Sequence, residues 1–114
     1  MTIHQITFSP TGGTRRASEF LCKGFNAQST ITELCTQEEN LNYPNIAADD
    51  LVVISMPVYA GRVPALAVER LKNVISNGAK CVIIAVYGNR AYEDALIEMQ
   101  DVATEMGFQV IAAI

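Results

Sequence analysis

Phe8-Ser9-Pro10-Thr11-Gly12-Gly13-Thr14 stands between an apolar run, Ile3 to Phe8, and a segment in which Ala17, Phe20, Leu21 and Gly24 recur at helical spacing. A strand, a glycine-bearing turn and a helix over 13–25 are predicted in that order. Gly12 and Gly13 let the backbone turn sharply and approach a ligand closely. Backbone amides at a helix start favour an anion. Ser9, Thr11 and Thr14 add three hydroxyl donors. This neutral, hydroxyl-rich turn suits a phosphate monoester. No lysine follows the glycines, so it is not a nucleoside-triphosphate loop, and the spacing is not GxGxxG. The same residues would also make a plain capped helix start.

Outward from that stretch, strands and helices alternate. Strands are predicted at Ile3 to Phe8, Thr30 to Leu34, Leu51 to Ser55, Cys81 to Val86 and Gln109 to Ile114. The third and fourth are apolar throughout, as expected of parallel strands buried on both faces. Pro64 opens a helix striped by Ala67, Leu71, Val74 and Ile75 and closed by Asn77-Gly78. Tyr92, Ala95, Leu96, Met99, Val102, Ala103 and Met106 stripe another, which Gly107 ends. Residues 36–50 read as a loop or at most a short helix. The pattern is one α/β domain over residues 1–114: an open parallel sheet with helices on both faces. Ligands of such sheets bind beyond the carboxyl ends of the strands, where the strand order reverses.

Two further loops fall at that edge. Met56-Pro57-Val58-Tyr59-Ala60-Gly61-Arg62-Val63 is apolar and stiffened by proline, and Tyr87-Gly88-Asn89-Arg90-Ala91-Tyr92 brings aromatics and an amide. Aromatic side chains stack on flat rings, although Tyr92 also fits as the first residue of its helical stripe. A phosphate at one end and a flat ring between two lips fit flavin mononucleotide (FMN). A dinucleotide fits less well, because no second phosphate loop is visible.

Composition narrows the function classes. A net charge of −4 argues against nucleic acid. No apolar run nears the roughly 18 residues of a membrane span, and no leader pattern is visible at Met1 to His4, which points to the cytoplasm. Cys22, Cys35 and Cys81 are widely spaced and form no metal motif, so they read as buried free thiols.

With these motifs the chain resembles the flavodoxin family, and among its members the flavodoxin-like domain at the front of ferredoxin-fused proteins. The resemblance rests on Ser9-x-Thr11-Gly12-x-Thr14, Pro57 to Pro64 and Tyr87 to Arg90. It implies a flavodoxin-like five-stranded sheet of order 2-1-3-4-5. FMN phosphate would lie on Ser9, Thr11, Gly12, Gly13 and Thr14. Ring contacts would come from Pro57, Val58, Tyr59, Ala60, Gly61 and Arg62 and from Gly88, Asn89, Arg90 and Tyr92. By position Tyr92 would stack, Asn89 would meet the pyrimidine edge, and the Gly61 carbonyl would accept from flavin N5 once that nitrogen carries a proton. Arg62 stands where many members have an acidic or polar residue, and it would favour the added charge of a reduced ring.

The family normally continues into a last helix, whereas this chain stops on its fifth strand. The expectation is that apolar residues of the first and fifth strands lie exposed on one face, for a homodimer, a partner chain or a missing segment to cover. The function implied is an FMN electron-transfer module serving an iron–sulfur redox partner. The alternatives are a flavin-dependent NAD(P)H:acceptor reductase of the quinone type and a non-flavin scaffold with the same fold. A phosphorylated receiver domain fits poorly, since Ser55 and Met56 end the third strand where it needs an aspartate.

Overall fold

The computed structural model describes residues 2–8, 29–34, 43–58, 63–87 and 93–113. The helix predicted over 13–25, Cys22 and Cys35 lie outside them. Five strands, β1 (Ile3–Thr7), β2 (Ser29–Glu33), β3 (Leu51–Val58), β4 (Lys80–Tyr87) and β5 (Gln109–Ala113), form one parallel sheet in the order β2-β1-β3-β4-β5. The sheet, its order and its direction agree with the sequence reading. Two helices, α1 (Ala65–Leu71) and α2 (Glu93–Glu105), make the crossovers on either side of β4.

The continuous apolar runs of β3 and β4 feed two faces at once. Val52, Ile54 and Met56 join Cys81, Ile83 and Ala85 on one face, under Ala67, Leu71 and Val74 from α1 and its exit turn and under Ala95, Met99 and Ala103 from α2. Leu51 and Val53 join Ile3, Val82 and Ile84 on the other. Burial pushes the Cys81 thiol up to about 11, so it packs as a neutral group at pH 7. It is a free, buried thiol, as its position in an apolar run suggested.

The elements end for local reasons. Pro64 caps α1 at its N-terminus with φ −61° and ψ 129°. The helix is shorter than its predicted stripe. After Leu71 the chain tightens, with Asn73 N–H donating to Arg70 O and Val74 N–H to Leu71 O. Val74 stays buried, but Ile75 swings out to 72% exposure, against the expectation that it packs. Left-handed Asn77 (φ 50°) and Gly78 (φ 73°) complete the turn into β4. The end of α2 is a Schellman motif: Phe108 N–H donates to Ala103 O and Gly107 N–H to Thr104 O. Gly107 has φ 95°, and a Cβ there would meet Ser76 Oγ at 2.8 Å.

The expectation of exposed apolar residues holds for β5 but not for β1. Every residue of β1 is buried, Ile3 and Ile6 fully so. The edge strand β5 leaves Ile111 57% exposed, beside an irregularity in its register with β4.

Burying β1 also buries His4, Gln5 and Thr7, and each finds a partner. At the amino edge His4 Nε2 donates to Asp50 Oδ2 at 2.9 Å, and the Thr30 hydroxyl lies 3.2 Å from Nδ1. Asp50 accepts two backbone amides besides, Thr2 N–H and Ala47 N–H, each at 2.9 Å. The Ala47 amide, then that of Thr2, then His4 hold the Asp50 carboxyl well below its ordinary 3.8. A carboxyl depressed in the folded state stabilises the fold above its unfolded pKa near 4, and that contribution is lost as pH falls further. Asp50→Asn should therefore lower the urea midpoint at pH 7 and shrink the loss of stability between about pH 4 and pH 2.5. An acid limb as steep as that of the parent would remove Asp50 from the account.

Candidate functional site

The carboxyl edge of the sheet is stepped. The register of β1 with β3 ends at Thr7 opposite Ser55, while β3 runs on through Met56, Pro57 and Val58, paired with Ala85, Val86 and Tyr87 of β4. At a rise of about 3.3 Å per residue, the β3–β4 pair projects roughly 10 Å beyond β1. The step falls between β1 and β3, where the chain order reverses and ligands of such sheets bind. Phe8, at the foot of the step, is the last described residue before the hydroxyl- and glycine-rich segment in the sequence, and Val58 and Tyr87, at its head, are the last before the other two.

Pro57 and Val58 correct the sequence reading, which began a loop at Met56. Both belong to β3, and Pro57 is buried. A proline in a central strand costs a ladder hydrogen bond unless its nitrogen faces no partner. Along a parallel strand successive residues turn their backbone polar groups to opposite neighbours. Ser55 O accepts from Phe8 N–H at 3.1 Å, so Ser55 and Pro57 both face β1. The pairing of β1 has ended by then, and Pro57 needs no donor. Tyr87 likewise ends β4 instead of opening the loop. The other predicted contacts, Ser9, Thr11, Gly12, Gly13, Thr14, Tyr59, Ala60, Gly61, Arg62, Gly88, Asn89, Arg90 and Tyr92, lie outside the described residues.

The described residues add a candidate that sequence reasoning passed over. Ser55 is fully buried, and its Oγ has no hydrogen-bond partner among the described residues. Its neighbour across the sheet, Thr7, is equally buried but donates to Glu33 Oε2 at 2.9 Å. A native fold seldom leaves a buried hydroxyl unpaired, and the cost is about 1–3 kcal/mol. Ser55 lies opposite Thr7, the last residue of β1, at the strand-order reversal, and its hydroxyl is free to donate there. The sequence signal was a serine interrupting the apolar run Leu51-Val52-Val53-Ile54-Ser55-Met56.

A cleft of about 490 Å³ is lined by Val63, by Ala65, Val68, Glu69 and Lys72 along α1 and its C-cap, and by Glu98 of α2. Two of its lining residues meet directly: Val63 N–H donates to Glu98 Oε1 at 3.4 Å. No cluster of His, Cys, Asp or Glu among the described residues could hold a metal ion, and no described helix is long and apolar enough to cross a membrane.

No family model and no curated protein matches the sequence. Solved structures do match the fold. A flavoprotein of Lactobacillus acidophilus, determined in complex with FMN, aligns at 18% identity and TM-score 0.66 over 98% of this chain and 91% of that one. Two-electron reduced Megasphaera elsdenii flavodoxin aligns at 18% identity and TM-score 0.74, over 97% and 82% of the two chains. A flavodoxin from the domain Archaea gives 17% identity and TM-score 0.69 over 100% and 82%. With its parallel sheet in the order β2-β1-β3-β4-β5, the chain has the flavodoxin-like α/β fold.

Proposed function

We propose that this chain is an FMN-binding electron-transfer module. The single observation that carries the reading is the Ser55 hydroxyl, buried opposite Thr7 at the strand-order reversal and without a hydrogen-bond partner among the described residues. Two of the matched structures are flavodoxins and a third was determined with FMN, which supports the same reading. FMN would supply one- and two-electron transfer.

The residues of this chain would bind and orient it. Ser9, Thr11 and Thr14 hydroxyls and the Gly12 and Gly13 amides would hold the phosphate, with Ser55 donating from below. Tyr59 and Tyr92 would flank the ring and exclude water, and Asn89 would meet its pyrimidine edge. The Gly61 carbonyl would hold a proton at N5 by accepting from it, and Arg62 would offset charge on the ring. The redox partner in this reading is a protein with an iron–sulfur centre. The second reading, an NAD(P)H:acceptor reductase, uses the same site and differs in turning over NAD(P)H with a quinone.

Purified protein should be yellow, show a flavin spectrum and release FMN on denaturation. It should oxidise NAD(P)H only slowly when a quinone is added. A colourless protein that stays colourless after incubation with FMN would defeat the cofactor reading, whereas rapid quinone-dependent NAD(P)H oxidation would favour the reductase.

A further inference from the structure

We infer that Thr30, His4 and Asp50 form a second reactive site, in which the Thr30 hydroxyl accepts an acyl group from an activated ester. The site lies at the amino edge of the sheet, away from Ser55, and does not rest on the FMN reading. Register brings the three residues together. His4 of β1 pairs with Thr30 of β2, and Asp50 immediately precedes β3, the other neighbour of β1.

The chemistry of each partner fixes the direction of the hydrogen bonds. Asp50 is ionised at neutral pH, held so by the Ala47 and Thr2 amides and by His4. An ionised carboxylate only accepts. His4 Nε2, 2.9 Å from Asp50 Oδ2, therefore carries the ring proton. In the neutral ring Nδ1 is then a bare lone pair, and the Thr30 hydroxyl, 3.2 Å away, donates to it. A hydroxyl aimed at an imidazole lone pair, with a carboxylate on the far nitrogen, is the arrangement that activates a weak nucleophile. His4 is 6% exposed and Asp50 9%, so the ring is held in one orientation. Thr30, on the edge strand β2, is exposed and open to a substrate.

The step balances as an acyl transfer. Thr30 Oγ1 attacks the acyl carbon of an aryl ester, and its proton passes to His4 Nδ1. The Oγ1–C bond forms, the bond from the acyl carbon to the aryl oxygen breaks, and Nδ1 hands the proton to the departing phenolate. The products are a Thr30 ester and a phenol, with the ring neutral again and no change of oxidation state. Asp50 touches neither reacting atom and is a positioning residue: it holds the tautomer and faces the transient charge on the ring.

The test treats the purified chain with p-nitrophenyl acetate at neutral pH and maps acetyl groups by peptide mass spectrometry. Thr104, exposed on α2, is the internal reference. Thr30 should acetylate at least about a hundredfold faster than Thr104. Thr30→Val should abolish the fast phase of nitrophenol release, and Thr30→Ser should keep it. His4→Gln should slow Thr30 acetylation by about a hundredfold. Nitrogen NMR of the neutral His4 ring should place the proton on Nε2 in the parent. Asp50→Asn should show a mixture of tautomers together with slower acetylation.

Thr30 acetylated no faster than Thr104 overturns the proposal, and that comparison needs no variant to fold. Acetyl groups confined to lysines and the amino terminus have the same meaning. So does a fast phase that survives Thr30→Val, a His4→Gln variant that acetylates at the parent rate, or a parent ring protonated at Nδ1. None of these measurements involves FMN.

Discussion

Ile54→Ala is expected to lower the unfolding free energy by about 2–5 kcal/mol. Ile54 is 1% exposed, lies in the central strand β3, and pairs in register with Ile6 of β1 and Ile83 of β4. It belongs to the core that α1 and α2 cover. Removing three carbons there loses burial and leaves a cavity, and the flanking strands β1 and β4, each held between two other strands, leave little room for collapse. Domains of this size are stable by about 5–15 kcal/mol, so the loss is a large share of the whole. Urea unfolding at neutral pH checks it, with Ile54→Val as the graded control at about 0.5–1.5 kcal/mol. A loss under about 1 kcal/mol for the alanine variant would show that this face of the sheet repacks easily.

The next residue should respond in the opposite sense. Ser55→Ala is expected to raise the stability of the ligand-free chain by about 1 kcal/mol while weakening FMN binding about tenfold. Adjacent residues of a strand face opposite sides of the sheet, so this substitution leaves the Ile54 face untouched. It removes a buried hydroxyl that has no partner among the described residues. Without ligand that hydroxyl is a desolvated liability; with a phosphate oxygen to donate to, it becomes a contact. Stability gained and affinity lost in one variant is a signature that ordinary packing damage does not produce. Paired urea melts and FMN titrations read it. A destabilised Ser55→Ala would mean that the hydroxyl is already satisfied in the free chain. An unchanged affinity would take Ser55 out of the phosphate set.

The two residues also mark how far the sequence could be read. Ile54 was legible as core because it sits in an uninterrupted apolar run, and the same logic located β4 and the stripe of α2. The hydroxyl and glycine pattern at Ser9 to Thr14 was legible as chemistry because residue type alone carries donors and turn freedom. Ser55 was not legible as a candidate. Its meaning depends on lying opposite Thr7, which is 48 positions earlier in the chain. Pro57 misled for a related reason. Read locally, a proline ends a strand, but β1 stops before reaching it and leaves its nitrogen with nothing to bond. Ile75 fitted the helical stripe by spacing, yet α1 ends at Leu71 and turns it outward.

By itself, then, the sequence determined the alternation of strands and helices, the buried character of β3 and β4, and the chemical types gathered at the carboxyl edge. These follow from periodicity and side-chain chemistry, which act between near neighbours in the chain. Only the tertiary structure decided the step between β1 and β3, the burial of all of β1, the Ser55 hydroxyl left without a partner among the described residues and the hydrogen bond from Val63 to Glu98. Each of those depends on register between segments far apart in sequence. A shift of one residue would turn every side chain of a strand to the other face, and no local pattern records which register the packed core selects.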